Sequence, residues 1–136
     1  MTKIAMSIPR GLMIAWAKSG KKQMNRDYIP ELGDIVWVDF NPQSGHEQMG
    51  RHPALIVSPA IYNGKSGLCL CVPITSKIKG YPFEVAIMLE KPSAILSDQV
   101  KSIDFQARNA EFITKADKST LHEVIDNIRQ LLGDSE

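Results

Sequence analysis

A polar segment directly before an apolar run carries the side chains best suited to chemistry. It spans residues 45–52 and includes Glu47, Gln48, Arg51 and His52, and Pro53 follows it at the start of the apolar run. Loops that hold charged groups next to a rigid strand often carry function. A guanidinium has a fixed fork of donors suited to phosphate, and an imidazole exchanges protons near neutral pH. The segment therefore holds candidates for phosphate binding and proton transfer.

A second group of candidates follows a predicted strand over residues 68–74. Thr75 offers a hydroxyl at the strand end, and Lys77 and Lys79 stand in the loop after it. The lysines could hold phosphates, each adding a salt-dependent contribution to affinity. The alternative is that Thr75 caps a turn and that the lysines only keep the loop soluble.

Size and charge indicate one ordinary globular domain with an uneven charge distribution. The chain has 136 residues, 43% of them hydrophobic and 23% charged. This is enough to bury a hydrophobic core without disulfides or bound metals. Residues 1–26 carry six basic and no acidic side chains, so the remainder has a net charge of −5 within the total of +1. Residues 43–83 nevertheless have a local charge of +3. If the loops within residues 43–83 cluster in space, they would form a positive site of the kind that phosphates need.

The cysteines and the apolar runs exclude several classes of protein. We place Cys69 and Cys71 on opposite faces of a predicted strand, which argues against a disulfide and against a metal pair. No cluster of His, Cys and Asp has metal-ligand spacing, so we expect no catalytic metal. No apolar run approaches the roughly 20 residues that span a membrane. A reducing compartment is therefore expected.

The coarse pattern is that of short strands followed by one helix. Alternation and turn signals predict about six strands, at residues 34–40, 54–58, 68–74, 83–89, 98–105 and 110–113, with one helical turn or loop at 58–64. Apolar residues at helical spacing from Leu121 to Leu132 predict a C-terminal amphipathic helix. Thr120 and Glu123 form a candidate capping box, and Gly133 a stop. This order favours a small, partly open barrel with a helix packed on it.

Four blocks, at residues 33–42, 45–58, 71–84 and 97–104, resemble the MazF/PemK (Kid-like) toxins of type II toxin–antitoxin modules. The likeness extends from about Tyr28 to Leu132 and implies an SH3-like (PemK/CcdB-like) barrel that forms a homodimer. It also implies a cytoplasmic endoribonuclease that needs no metal or cofactor and cuts single-stranded mRNA to 2′,3′-cyclic phosphate and 5′-OH ends. The implied partner is a cognate antitoxin, through which alone the toxin would contact DNA. Residues 27–136 would be this domain, and residues 1–26 a basic extension, unless translation starts at Met24.

The resemblance also implies roles for single residues. Thr75 matches the family's catalytic threonine. The RNA-binding candidates are the aromatic residue before the first loop, polar residues of that loop, the two lysines and a groove residue: Phe40, Asn41, Glu47, Gln48, Lys77, Lys79 and Gln99. Phe40 could stack on a base, as aromatic side chains of single-stranded RNA readers do. Trp37 and Tyr81 could do the same, although packing in the core or a dimer interface is the alternative.

One position departs from the family pattern. The family places its catalytic arginine directly before the proline, whereas here His52 stands in that position and Arg51 one residue earlier. Neighbouring residues in a strand face opposite sides, so the two side chains are not interchangeable. Three interpretations follow: His52 transfers protons while Arg51 binds phosphate, Arg51 restores the usual role, or the enzyme is weakened.

Two other functions remain open at this point. The gyrase-poisoning toxins share the barrel and act by binding a protein, so the fold alone does not decide between the two activities. A catalytically weakened homologue that still binds antitoxin is the other alternative. The Glu47–Gln48 loop together with Thr75 favours the nuclease, because a gyrase poison has no need of these groups.

Overall fold

The computed structural model of the chain describes residues 27–40 and 50–133. Within these ranges the chain forms seven strands and two helices, in the order β1 (Asp34–Phe40), β2 (Gly50–Ile56), α1 (Ala60–Ser66), β3 (Leu68–Thr75), β4 (Glu84–Met88), β5 (Pro92–Leu96), β6 (Lys101–Asp104), β7 (Glu111–Lys115) and α2 (Lys118–Leu131). The predicted extension over residues 1–26 and the predicted RNA-binding residues Asn41, Glu47 and Gln48 lie outside the described residues.

The described strands form one curled antiparallel sheet in the order β4-β5-β3-β2-β1-β7, and β6 also pairs with β3. Strand β3 serves as the branch point. Its first half pairs with β6 from Leu68 to Cys71, and its last two residues pair with β5. The sheet thereby bends around β3 into a half-barrel.

Strand β1 is apolar on both faces because the sheet has a hydrophobic core on each side. The inner cluster contains Val36, Val38 and Phe40 of β1, and the outer cluster contains Ile35. Helix α2 covers the outer cluster, where Val124 is fully buried and Leu121 and Ile128 pack against it. The prediction of a mainly β chain with a C-terminal amphipathic helix is confirmed.

The N-cap of the helix lies three residues before the predicted one. Asp117 is the N-cap of α2, and its carboxylate accepts the backbone N–H of Thr120 at 2.9 Å. The predicted Thr120–Glu123 capping box is therefore wrong, because Thr120 already lies in the first turn. The helix stops where Gly133 adopts a positive φ of 76°, as expected. Leu131 and Leu132, predicted on the apolar face, are 46% and 77% exposed at this end.

Three further predictions about the sheet need correction. Strand β5 was not predicted, and β2 begins at Gly50 rather than at residue 54. Cys69 and Cys71 share one face, since residues two apart in a strand point the same way, and both are fully buried in the inner cluster. Burial raises the pKa of the Cys69 thiol to about 12.

No helix within residues 27–40 and 50–133 combines the length and apolar character needed to cross a membrane.

Candidate active site

The β1–β2 pairing positions Arg51 and His52. In this antiparallel ladder Arg51 lies opposite Asp39, and His52 lies opposite the buried Val38. Because side chains alternate along a strand, Arg51 shares its face with Asp39, and His52 shares the other face with Val38. The sequence prediction that the two residues face opposite sides therefore holds in the structure.

Arg51 joins three elements through its guanidinium. Its Nη1 donates to Asp39 Oδ1 at 2.9 Å, while its Nη2 donates to the Asn109 carbonyl and to Glu111 Oε1, each at 3.1 Å. These partners lie on β1, in the turn after β6 and at the start of β7. The fork is thus engaged with two carboxylates, an arrangement that balances its charge and fixes its direction.

Asp39 is held from both sides of its carboxyl group. Its Oδ1 accepts from Arg51, and its Oδ2 accepts the Asn109 side-chain amide at 2.7 Å. The hydrogen bond from Asn109 and then that from Arg51 hold the pKa of Asp39 below its usual value. Asn109 itself has a φ of 57°, a left-handed conformation that asparagine tolerates well. The group therefore acts as a polar brace between the β1–β2 hairpin and β7.

His52 stands on the face that leads toward Thr75. The β2–β3 ladder ends at the pair Ala54–Pro73. His52 and Thr75 each lie two residues beyond that pair, so alternation places both on the same side of their strands as Ala54 and Pro73. Thr75 is 5% exposed, and its hydroxyl oxygen accepts the Lys77 backbone N–H at 3.0 Å. Thr75 therefore does cap the turn after β3, as the alternative interpretation of this residue proposed. The hydroxyl proton is still available to donate, because a hydroxyl both accepts and donates.

A pocket of about 530 Å³ opens on the face of β1 and β2 that carries Trp37 and Arg51, and Thr75 is not among its lining residues. Its apolar lining residues include Trp37, Pro53, Ile74 and Ile113, and its polar ones include Arg51, His52, Ser76, Glu90 and Lys91. Trp37 is 39% exposed, so part of its ring faces solvent at this pocket. Apolar pockets with a few convergent polar groups are the usual form of a ligand site.

The remaining predicted site residues fall into separate places. Lys77 and Lys79 are exposed in the loop between β3 and β4, and Gln99 is half-buried in the turn between β5 and β6. Phe40 is 1% exposed and belongs to the inner cluster. The prediction that Phe40 stacks on a base is therefore wrong, because the packed core leaves no ring face for a ligand.

Sequence reasoning missed the partners of Arg51 and the role of Glu84. Asp39 could have been found by aligning the β1–β2 hairpin across the loop. Asn109 and Glu111 carry no local signal, since they are 58 and 60 residues from Arg51 along the chain. Glu84, whose carboxylate binds the loop that holds both lysines, follows that loop as the first residue of β4.

Comparison with known proteins agrees with the fold. The family model described as PemK-like, MazF-like toxin of type II toxin-antitoxin system matches residues 31–132. This chain belongs to that family. The predicted family and the predicted partly open barrel with a C-terminal helix are thereby confirmed.

Individual members of the MazF-like family are similar over most of the described chain. The endoribonuclease toxin MazF of Escherichia coli strain K12 is 54% identical over 84 residues, which cover 61% of this chain and 76% of that protein. A crystal structure of MazF (Form-I) from Deinococcus radiodurans is 45% identical with a TM-score of 0.74, covering 78% of this chain and 98% of that one. A MazE-MazF structure (Form-II) from the same organism gives 45% identity and a TM-score of 0.70, with 79% and 99% covered.

Proposed function

We propose that this chain is the toxin of a toxin–antitoxin pair and an endoribonuclease that cleaves single-stranded mRNA without a metal. The MazF-like family and the endoribonuclease names of its relatives support this activity over gyrase binding. The observation that carries the assignment of residues is the engagement of Arg51. Its guanidinium is bound to Asp39, Asn109 and Glu111, whereas the neighbouring His52 faces the side of the sheet that leads to Thr75.

The proposed reaction uses the ribose 2′-OH as nucleophile. The 2′-oxygen attacks phosphorus, the bond from phosphorus to the 5′-oxygen breaks, and the products end in a 2′,3′-cyclic phosphate and a 5′-OH. One proton must leave the 2′-OH, and one must reach the departing 5′-oxygen. In this scheme His52 accepts the proton of the 2′-OH and then gives it to the departing 5′-oxygen. The Thr75 hydroxyl donates to the phosphate oxygens, where negative charge develops.

Arg51 acts as a brace in this proposal rather than as the phosphate ligand. Turning its guanidinium toward a phosphate would break contacts to two carboxylates and leave Asp39 and Glu111 as unpaired negative charges. Two such charges would oppose the approach of a phosphate backbone. His52 is therefore the functional substitute for the family's arginine, which stands in the same position before the proline.

The partners follow from the same proposal. The antitoxin named in the MazE-MazF structure suggests a cognate antitoxin for this chain, and DNA would be reached only through that complex. We further infer a homodimer that acts in the cytoplasm, where mRNA is translated. Residues 27–136 would carry the activity. That residues 1–26 form a basic extension and that Asn41, Glu47 and Gln48 bind RNA stay predictions.

Cleavage of a long single-stranded RNA in EDTA tests the function. The wild-type protein should produce discrete cuts that end in cyclic phosphate. His52→Ala should abolish them, whereas Arg51→Ala should keep at least one tenth of the wild-type rate. The His52→Arg variant, which restores the family's residue, serves as the matched control.

The possible results separate the interpretations of this site. Loss of cutting in Arg51→Ala with retention in His52→Ala would return the family role to Arg51. Cutting only by His52→Arg would identify a scaffold that is disabled at one position. No cutting by any of the proteins would refute the nuclease.

A further inference from the structure

The loop between β3 and β4 is exposed yet held in a defined shape. It runs from Ser76 to Phe83 and starts directly after Thr75. Residues 76–82 are all exposed, and Ile78 and Tyr81 show 53% and 60% of their surfaces to solvent. A loop that exposes large side chains gains little from burial. Its shape must therefore come from polar contacts.

The carboxylate of Glu84 supplies those contacts. Its Oε1 accepts the Gly80 backbone N–H at 2.9 Å, and its two oxygens accept that of Lys79 at 3.3 Å each. The Glu84 backbone N–H also donates to the Tyr81 carbonyl at 3.1 Å. Bonds from backbone donors to an ionised carboxylate are stronger than those between neutral groups. Gly80 permits this geometry with a φ of 78°, which residues with a side chain rarely adopt.

The held loop presents a cation and an aromatic ring together. The Lys79 ammonium lies 5.9 Å from the centroid of the Tyr81 ring, at the outer limit of a cation–π contact. Glu84 binds the Lys79 backbone, and among the described residues no carboxylate is paired with the Lys79 ammonium. The ammonium thus lies over one face of a ring that is 60% exposed, so a base would stack on the other face.

We propose that Glu84 is a positioning residue that shapes this loop so that Lys79 and Tyr81 form a platform for one nucleotide of the RNA. This inference rests on the proposed nuclease function. The Tyr81 ring stacks on the base, and the Lys79 ammonium holds a phosphate of the same strand. A ring face accepts any base, whereas a lysine adds a salt-dependent phosphate contact. The platform therefore contributes affinity rather than chemistry.

The sign of the Glu84 effect distinguishes this role from simple electrostatics. Removing a negative charge near an RNA site should strengthen RNA binding if charge alone matters. If Glu84 positions the loop, its removal should instead weaken RNA binding, because losing the carboxylate releases the loop and separates the ring from the ammonium. Glu84→Gln keeps one oxygen acceptor for Gly80 and should retain part of the binding. Glu84→Ala removes both.

The test combines steady-state cleavage with binding of an uncleavable probe. The probe is a set of short single-stranded 2′-O-methyl RNAs with 2-aminopurine at successive positions, whose fluorescence falls when the base stacks. Glu84→Ala and Tyr81→Ala should each raise KM and weaken probe binding roughly tenfold, within the range found for loss of one stacked base. The value of kcat should stay within about twofold, since neither side chain takes part in the proposed chemistry. Quenching at one position should disappear in both variants.

Matched variants complete the design. Tyr81→Phe keeps the ring and should restore the base quenching that Tyr81→Ala loses, whereas Glu123→Ala removes a carboxylate from the exposed side of helix α2 and should leave KM unchanged. The double variant Glu84→Ala/Tyr81→Ala should lose less affinity than the sum of the two single losses, because the two residues act through one platform.

Failure of the platform and failure of the nuclease give different results. If wild type cuts RNA but Glu84→Ala retains wild-type KM and quenching, or binds more tightly, the platform is refuted and the nuclease stands. If wild type does not cut RNA but quenching still depends on Tyr81 and Glu84, the platform is supported and the nuclease is refuted.

Discussion

Arg51 and His52 are adjacent in the chain, yet the sheet gives them different surroundings. Arg51 has exposed partners on β1 and β7, so its contribution to stability should be modest. We expect Arg51→Ala to lower the free energy of unfolding by about 1 kcal/mol, the upper end for exposed pairs. Urea denaturation measures it, and a double-mutant cycle with Asp39→Asn should show that the two losses are not additive. Additive losses would mean that the pair does not act as a brace.

Asp39 gives the brace a predictable dependence on pH. Its pKa is lowered in the folded protein by Asn109 and Arg51. A carboxyl group with a lowered pKa stabilises the fold above its unfolded-state pKa and loses that effect as the pH falls through the folded-state pKa. The stability difference between wild type and Asp39→Asn should therefore be constant near neutral pH and shrink in acid. A difference that grew in acid would contradict this assignment.

Thr75 offers a test of one hydroxyl group. Thr75→Val keeps the shape of the side chain but removes the donor to the phosphate and the acceptor for Lys77. We expect kcat to fall about a hundredfold, as when one transition-state donor is lost. Thr75→Ser keeps the hydroxyl and should retain most activity. Equal losses in both variants would assign Thr75 to packing alone.

The direction in which Arg51 and His52 point could be predicted from the sequence, but the groups that surround them could not. Alternation along a strand is local, so the opposite facing of Arg51 and His52 could be predicted. The partners of Arg51 on β7 could not, because only the folded sheet brings that strand beside β1. Phe40 was misjudged for the same reason. Its ring faces the inner core, and the depth of that core depends on β6 and on residues that follow it.

At the scale of elements, the start of α2 distinguishes two caps. Asp117 caps the helix in the structure, whereas the sequence pattern favoured Thr120 with Glu123. Asp117→Ala should lower Tm by several degrees, because it leaves the Thr120 N–H without its side-chain acceptor. Glu123→Ala is the control and should leave Tm nearly unchanged. The reverse result in thermal unfolding would restore the capping box.

The strand errors have physical causes. Strand β5 is five residues long, begins at Pro92 and contains Ser93 and Ala94, so Ile95 is its only residue of the β-branched and aromatic types that mark strands. Its existence depends on pairing with both β4 and β3. The predicted start of strand β2 was too late, because a proline was expected only at the first position of a strand. Pro53 is accommodated because pairing with β3 starts only at Ala54.

At the scale of the whole molecule, one network ties the first described residues to the last strand. Asp34 is 3% exposed and pairs with Lys115 Nζ at 2.7 Å, and it also accepts hydrogen bonds from the Tyr28 hydroxyl and the Glu31 backbone N–H. Lys115→Met would leave the buried carboxylate without its cation. We expect a loss of about 2 kcal/mol, below the range for fully buried pairs because Lys115 is half-exposed.

Alkaline titration checks the same network. Burial alone would lower the pKa of Lys115, but the Asp34 carboxylate outweighs it and raises the pKa above 10.5. A raised lysine pKa stabilises the fold below the unfolded value and is lost as the pH rises through the folded value. The difference between wild type and Lys115→Met should therefore persist through neutral pH and decline only above about pH 10. The exposed Lys118→Met is the control for loss of a surface charge.

The two buried cysteines give the protein a practical property. Both side chains are fully enclosed in the inner core, and burial raises the pKa of each, so the reactive thiolate is scarce and inaccessible. Maleimide dyes should therefore leave the native protein unmodified. A single cysteine placed on the exposed β3–β4 loop would be labelled selectively without first removing Cys69 and Cys71. Movements of that loop on binding RNA can then be followed by fluorescence in an otherwise unaltered chain.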